Sequence, residues 1–406
     1  MGDYINNYKS YIKKLLLTSI ISFIVSIPIT LYYFNQINLL SIIYNIFFVP
    51  YISIIVFPLS LLTFIFPFLN NIFNIFIKIL ENTSLILSKI DLLKLIFCNN
   101  HLVFYFGYVV LIITSLIGIK RRKLYYILFI IIIMFFHYLQ PLILDKHYIM
   151  MLDVGQGDSL LIHYNNKNIL IDTGGVMTYD KEKWQKKIKT NSIVLNTSIP
   201  ILKKRGIKKL NYLILTHGDY DHMGEAITLV NNFKVEKVIF NCGEFNNLEQ
   251  NLIKVLEKKK IPYYSCIKEL NIDDNNKLYF LNNKDYGNEN DNSSVIYTEL
   301  NKYKFLFMAD AGVEVEEDLT KKYNLKDIDV LKVGHHGSKT SSSKEFINEI
   351  NPKYSLISVG KDNKFGHPNK EVLENLENSK IYRTDEDGSI MFKIKNNKFK
   401  IETCEP

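Results

Sequence analysis

The run Thr216-His217-Gly218-Asp219-Tyr220-Asp221-His222-Met223-Gly224 places two imidazoles and two carboxylates within six residues, directly after an apolar stretch that reads as a strand. Ligands of this kind, set on a strand-to-helix turn and not along one helix face, can surround a pair of adjacent cations. A merely solvated loop would crowd Asp219 and Asp221 together for no gain. Further candidates end other apolar runs: Asp310 in Phe307-Met308-Ala309-Asp310, the doublet His335-His336 before Gly337-Ser338, and His367 in Gly366-His367-Pro368. Taken singly, each histidine is more simply a satisfied core or surface residue. Five of the nine histidines fall in these motifs, and that concentration points to a metal centre. Two such cations acidify a bound water and neutralise charge developing at a phosphoryl or carbonyl centre. A nearby histidine could then protonate the leaving oxygen.

The elements that must hold these residues are legible from His147 onward, where short β-rich runs alternate with Gly/Asn/Asp punctuation and helical stretches, the pattern of an α/β domain with its own core. Strands are expected near 148–153, 159–164, 168–172, 212–216, 237–240, 277–281, 295–300, 304–308, 330–333, 354–358 and 390–394. Helices fit 192–204, 222–233, 248–258, 313–323, 344–350 and 370–378. Cys98, Cys242, Cys266 and Cys404 form no CxxC or Cys…His spacing, so neither a disulfide framework nor a structural zinc site is expected.

The first 146 residues are of another kind. From Leu15 to Ile77, 63 residues contain no Asp, Glu, Lys or Arg. That excludes a soluble single domain, since about 20 apolar residues suffice to cross a bilayer. Residues 1–146 hold 11 Lys/Arg against 4 Asp/Glu, so +7 of the formal +8 lies there and describes membrane flanks, not a nucleic-acid-binding surface. Leu15 to Phe34, part of Leu39 to Leu69, and Leu124 to Leu144 read as spans, with Leu95 to Ile119 a fourth. Pro50, Pro58 and Pro67 predict a broken or re-entrant second stretch. Residues 70–98, with Lys78, Glu81, Lys89, Asp91 and Lys94, read as an interfacial amphipathic helix. His137 reads as a hydrogen bonder facing the bundle. Lys9, Lys13 and Lys14 place the amino terminus in the cytoplasm, and Lys120-Arg121-Arg122-Lys123 marks a second cytoplasmic flank. Both hold together with an odd number of crossings, about five, and put everything after Asp145 outside the cell membrane.

His217-x-Asp219-x-Asp221-His222 resembles the signature of the metallo-β-lactamase superfamily. With Asp153-Val154-Gly155-Gln156-Gly157-Asp158 upstream and His335-His336-Gly337-Ser338 downstream, residues 148–400 resemble the hydrolase domain of ComEC-type DNA-uptake channels. Thr18 to Leu62 is similar to the later part of that family's membrane competence domain. ComEC-type proteins carry an OB-like module and more spans ahead of the matched segment, so the chain looks like the carboxy-terminal part of one. The resemblance implies two domains: a truncated transmembrane competence region over 1–146, and an αββα sandwich of metallo-β-lactamase fold over 147–406.

It also implies roles. His217 and Asp219 would hold one metal and Asp221 and His222 the other, with Asp310 bridging. One of His335 and His336 would complete the first and leave its neighbour near the scissile bond, and His367 would complete the second. Asp172 would support the site. Asp219 stands where many members of the superfamily have a second histidine, and Asn292 where the third-motif histidine is often found. The extra carboxylate hardens the site, so the two divalent ions implied are zinc or manganese. The implied activity is a membrane-tethered phosphodiesterase or nuclease acting on DNA during uptake, with membrane lipid and other DNA-uptake proteins as partners. The alternatives are a channel component whose hydrolase domain only binds nucleic acid, and an anchored hydrolase of another phosphoester. Lys181, Lys183, Lys186, Lys187 and Lys189 with Trp184 read as a solvated helix face, or as a basic segment able to track a phosphate backbone.

Overall fold

The structure, a computed structural model, describes residues 10–88, 90, 92–120, 125–143, 147–175, 192–282, 284–395 and 398–404. Lys9, Lys89, Asp91, the Arg121–Lys123 part of the basic flank, Asp145, and the segment with Trp184 and its lysines lie outside the described residues. The chain divides into two units, Met1–Pro141 with Lys203–Gly206, and Leu142–Leu202 with Ile207–Pro406.

In the first unit, two helices are long and apolar enough to cross a membrane, Tyr11–Phe34 and Ser41–Ile65, while Leu102–Gly118 and Leu128–Ile143 are shorter apolar helices. Among the described residues this falls short of the five crossings expected. The second stretch is also not broken at Pro50. The helix Ser41–Pro50 passes into a π-helical segment, Tyr51–Val56, and continues as Phe57–Ile65. A π-turn shifts the hydrogen-bond register locally, so the rod absorbs the donor that proline lacks. The chain bends at Phe66, ahead of Pro67. The amphipathic segment forms the helix Asn70–Ser88. Ile27, Leu31, Ile37, Phe97, Tyr105 and Tyr108 make this unit's core.

The second unit is a two-sheet sandwich. The eight-stranded sheet begins with antiparallel neighbours, Lys398–Cys404, Ser389–Lys395 and His147–Met151, then Leu160–Tyr164 and Lys167–Ile171. It turns parallel through Tyr212–Leu215, Val238–Phe240 and Tyr263–Ser265. The seven-stranded sheet has the same design: antiparallel from Glu269–Asn271 to Tyr303–Phe307, then parallel through Val330–Lys332, Tyr354–Ile357 and Lys380–Arg383. Strand periodicity sorts the side chains. Phe305 and Phe307 enter the core between the sheets with Ile149, Ile162 and Ile214. Leu306 between them faces the other way, onto Val315 and Leu319 of the helix Val313–Lys322 and Phe346 of Lys344–Ile350. Helices Ala226–Asn232 and Asn247–Lys259 make the crossovers between parallel strands of the other sheet.

The eleven expected strands are present within a residue or two of their expected limits; among the described residues the short pair Gln36–Asn38 and Lys94–Ile96 of the first unit was not read, nor were four strands of the second: Tyr263–Ser265, Glu269–Asn271, Lys380–Arg383 and Lys398–Cys404. All four lie at sheet edges, where charged and polar side chains blunt pairing and erase the apolar signal. The cysteine reading also needs correction. Cys242 and Cys266 form a disulfide with Cα atoms 4.3 Å apart, because the parallel neighbours Val238–Phe240 and Tyr263–Ser265 bring both just past their ends.

Candidate metal centre

The candidate residues gather where parallel strands end, the edge at which open α/β sheets expose loops to ligands. Asp172 follows Lys167–Ile171, His217 follows Tyr212–Leu215, Asp310 follows Tyr303–Phe307 and His335-His336 follow Val330–Lys332. Asp172, Ala309, His335 and His336 all have positive φ, between 45° and 60°. Non-glycine residues are held so only when their surroundings over-determine them.

Asp172 organises the floor. Its Oδ1 accepts from the Thr216 backbone N–H at 2.8 Å, and its Oδ2 accepts from the Thr216 hydroxyl at 2.6 Å and faces His222 Nδ1 at 2.8 Å. That contact aims His222 Nε2 at Asp310 Oδ1, 3.2 Å away. His336 is fixed the same way, with Nδ1 on the Ser358 carbonyl at 2.8 Å and Nε2 3.2 Å from Asp221 Oδ2 and 3.6 Å from Asp310 Oδ2. Asp219 caps the short helix Tyr220–Met223 without spending its side chain, which is 45% exposed and 3.6 Å from His217 Nε2. The His217 and His222 rings are 4.1 Å apart.

Ligand atoms of Asp221, His222, Asp310 and His336 all lie within 4.8 Å of one another. Yet His217 Nε2, His222 Nε2, His336 Nε2 and Asp310 Oδ1 are buried without a hydrogen-bond partner. A buried polar atom without a partner costs about 1–3 kcal/mol, so several converging on one point are the signature of a group that replaces the missing partners. The donor set, imidazole plus carboxylate, suits a divalent transition metal. The electrostatics agree. Burial opposes charge on His222, but the carboxylates of Asp310 and Asp172 outweigh it and hold the imidazole well above its usual pKa. Burial likewise opposes charge on His336, which Asp310 and Asp221 raise. Burial works against the Asp221 carboxylate too, yet the close imidazoles of His336 and His222 bring it down to about 2. The pocket is anionic and calls for positive charge.

The doublet is divided. His336 is fully buried, whereas His335 stands at the rim with its side chain 25% exposed, Nδ1 on the Thr340 hydroxyl at 3.1 Å and Nε2 3.9 Å from Asp310. Burial lowers the His335 pKa. His367 lies beside it with rings 5.9 Å apart, its Nδ1 buried and unpartnered. Asn292 is not in the cluster. Its amide accepts from the Tyr286 N–H at 2.7 Å and donates to Asp285 at 2.9 Å, bracing a surface loop.

Two residues beside the cluster were given no role from sequence. Asp158 pairs with the buried Lys332 ammonium, and its carboxylate also lies 3.5 Å from His336 Nδ1 and 3.9 Å from His222 Nδ1. Lys332 donates to the Ala309 carbonyl at 2.8 Å, steadying the turn that carries Asp310. A charged lysine closing an apolar strand just before the His335-His336 doublet was the available signal.

Residues 152–361 match the family described as the metallo-beta-lactamase superfamily, and residues 2–122 match the family described as competence protein. ComE operon protein 3 of Bacillus subtilis (strain 168) is 29% identical over 408 residues, an overlap of 96% of this chain and 53% of that protein. Competence protein ComA of Neisseria gonorrhoeae is 28% identical over 261 residues, covering 60% of this chain and 32% of that one. The chain therefore spans about half, or less, of the curated relatives it matches. Among solved structures, the metallo-beta-lactamase fold protein YhfI from Bacillus subtilis aligns at 11% identity with a TM-score of 0.39, over 59% of this chain and 96% of that one.

Proposed function

Because the chain belongs to the metallo-beta-lactamase superfamily, we propose that residues 147–406 are a metal-dependent phosphodiesterase that cuts DNA during uptake, tethered to a membrane region within residues 1–146. The observation that carries this reading is the convergence of unpartnered buried ligand atoms on His222, His336 and Asp310, with His217 Nε2 unpartnered beside them. Asp221, His222 and His336 would hold one divalent ion, His217 and Asp219 the other, with Asp310 shared between them. The carboxylate content makes manganese as suitable as zinc. Bound there, the ions supply an acidified water and neutralise charge on a phosphoryl group.

The protein's own residues orient and move protons around that chemistry. Asp172 and the Ser358 carbonyl fix the rings of His222 and His336, so both Nε2 atoms face Asp310. His335 serves the leaving group. As an imidazolium, His335 would donate its Nδ1–H to the Thr340 hydroxyl and give its Nε2–H to the departing oxygen, leaving a neutral imidazole. His367 flanks it.

The match of residues 2–122 to the competence family supports DNA as substrate and other DNA-uptake proteins as partners. Membrane tethering is supported by the rod Ser41–Ile65, which has no buried residue, and by Phe64 and Val103, exposed at 89% and 80%. Apolar surface on that scale needs lipid or a partner to cover it. Placement of the hydrolase domain outside the cell is supported by the Cys242–Cys266 disulfide, since such bonds persist in oxidising compartments.

The test is cleavage of an end-labelled oligonucleotide by the full chain in detergent, supplied with manganese or zinc. Metal-dependent cleavage that disappears on chelation is expected. A metal-loaded protein that leaves DNA intact would refute the reading.

A further inference from the structure

Beyond the histidines, the loop 360–367 carries an aromatic side chain that the fold does not use. Phe365 is 65% exposed, yet it belongs to neither core of its unit. It is not loosely held either. Asn363 cross-links the loop: its Nδ2 donates to the His367 carbonyl at 2.6 Å, and its Oδ1 accepts from the N–H groups of Phe365 at 3.2 Å and His367 at 3.1 Å. At the loop's start, the Gly360 N–H donates to Gln156 Oε1 at 3.2 Å. An exposed ring on a braced loop costs solvation without gaining packing, which calls for a ligand.

Its position says which ligand. The Phe365 ring lies 5.9 Å from the ring of His367, whose own ring is 5.9 Å from that of His335 at the mouth of the metal centre. Lys361 and Lys364, on the same loop, are exposed. An aromatic face with cations beside it, two ring-to-ring steps from the rim histidine His335, is the combination that holds unpaired nucleic acid: stacking for a base and charge for the phosphates. A paired base keeps both faces in its own stack and cannot offer one.

We propose that Phe365 is a stacking platform for an unpaired nucleobase flanking the scissile phosphate, with Lys361 and Lys364 on the neighbouring phosphates. The proposal rests on the DNA-cleaving reading and adds which form of DNA enters and what holds it. It makes Phe365 a residue of substrate recognition.

The experiment uses the full chain in detergent with manganese and three substrates: a single-stranded oligonucleotide, the same strand with abasic sites flanking the cut, and methyl nitrophenyl phosphate, a diester without a nucleobase. F365A is expected to raise KM for the intact strand by roughly 5- to 150-fold, the equivalent of ~1–3 kcal/mol of stacking, with kcat within about twofold. F365W should restore KM. On the abasic strand the unsubstituted protein should already show the raised KM, and F365A should add nothing. Equal losses on intact and abasic strands, or a loss confined to kcat, would overturn the stacking role while leaving the DNA reading intact. Hydrolysis of the methyl nitrophenyl diester with no cleavage of either strand would remove the DNA reading and this proposal together.

Discussion

His137 and His222 are both buried histidines, one in each unit, and they are used in opposite ways. His137 has both ring nitrogens engaged, Nε2 with the Cys98 carbonyl at 2.8 Å and Nδ1 with the Tyr108 hydroxyl at 3.2 Å. Beside it, Gln140 and Asn100 pair through two hydrogen bonds of 2.8 and 2.9 Å. His222 spends Nδ1 on Asp172, while its Nε2 faces Asp310 without hydrogen-bond geometry. Burial is the same; only the completeness of partnering differs. A closed set of partners makes a structural histidine, and an open nitrogen held in place by its ring partner makes a ligand.

Breaking the open cluster should have the largest effect. D221A removes a carboxylate from the centre without touching either hydrophobic core, so metal-dependent cleavage should fall below detection while thermal unfolding stays cooperative. Activity retained in metal-replete buffer would contradict the assignment. The doublet sharpens this further. H336A should lose bound metal by elemental analysis. H335A should keep about two ions per chain and slow cleavage of an unactivated diester by about 10²- to 10⁴-fold, recovering on a nitrophenyl leaving group. Equal metal loss in both variants would undo the division of roles.

One step out from the ligands, D172N should weaken metal binding by about 10- to 100-fold, because His222 loses its orienting carboxylate. Competition with a chelating dye would measure it. In the closed cluster, H137A should leave metal content unchanged and cost about 1–3 kcal/mol, since the Cys98 carbonyl and Tyr108 hydroxyl lose their partner. A change in metal content there would blur the distinction between the clusters.

The smallest effect concerns Glu249, which is buried beneath the turn bearing His217. Burial raises its pKa from 4.5 to about 7, against the lowering effect of its bond with the Asn246 N–H. Between those values the folded chain binds more protons than the unfolded one, so this group's contribution to stability declines as pH rises from 4.5 to 7. E249Q keeps the capping bond and removes the titration. Its unfolding midpoint should vary less with pH across that window than that of the unsubstituted protein.

Much of this was legible because it is local. His217, Asp219, Asp221 and His222 follow one another on a single strand-to-helix turn, so their grouping appears in the chain itself. The two-residue alternation of Phe305, Leu306 and Phe307 assigns inner and outer faces without reference to any other strand. The features missed or misplaced share the opposite property. The Cys242–Cys266 bond and the Asp158–Lys332 pair join residues far apart in sequence that meet only because particular strands lie side by side. Asn292 has a composition fit for a site, but its loop turns it toward Asp285 and Tyr286.

By itself, then, the sequence determined the types of candidate ligand and the contrast between an amino-terminal region with a 63-residue uncharged run and an α/β remainder, because residue chemistry and short-range periodicity are properties of the chain alone. The tertiary structure decided which of the two adjacent histidines lies inside. Positive φ at both His335 and His336 turns one side chain under the Ser358 carbonyl and leaves the other at the rim. No composition or spacing could tell them apart, since the difference is made by a strand that the chain reaches some twenty residues later.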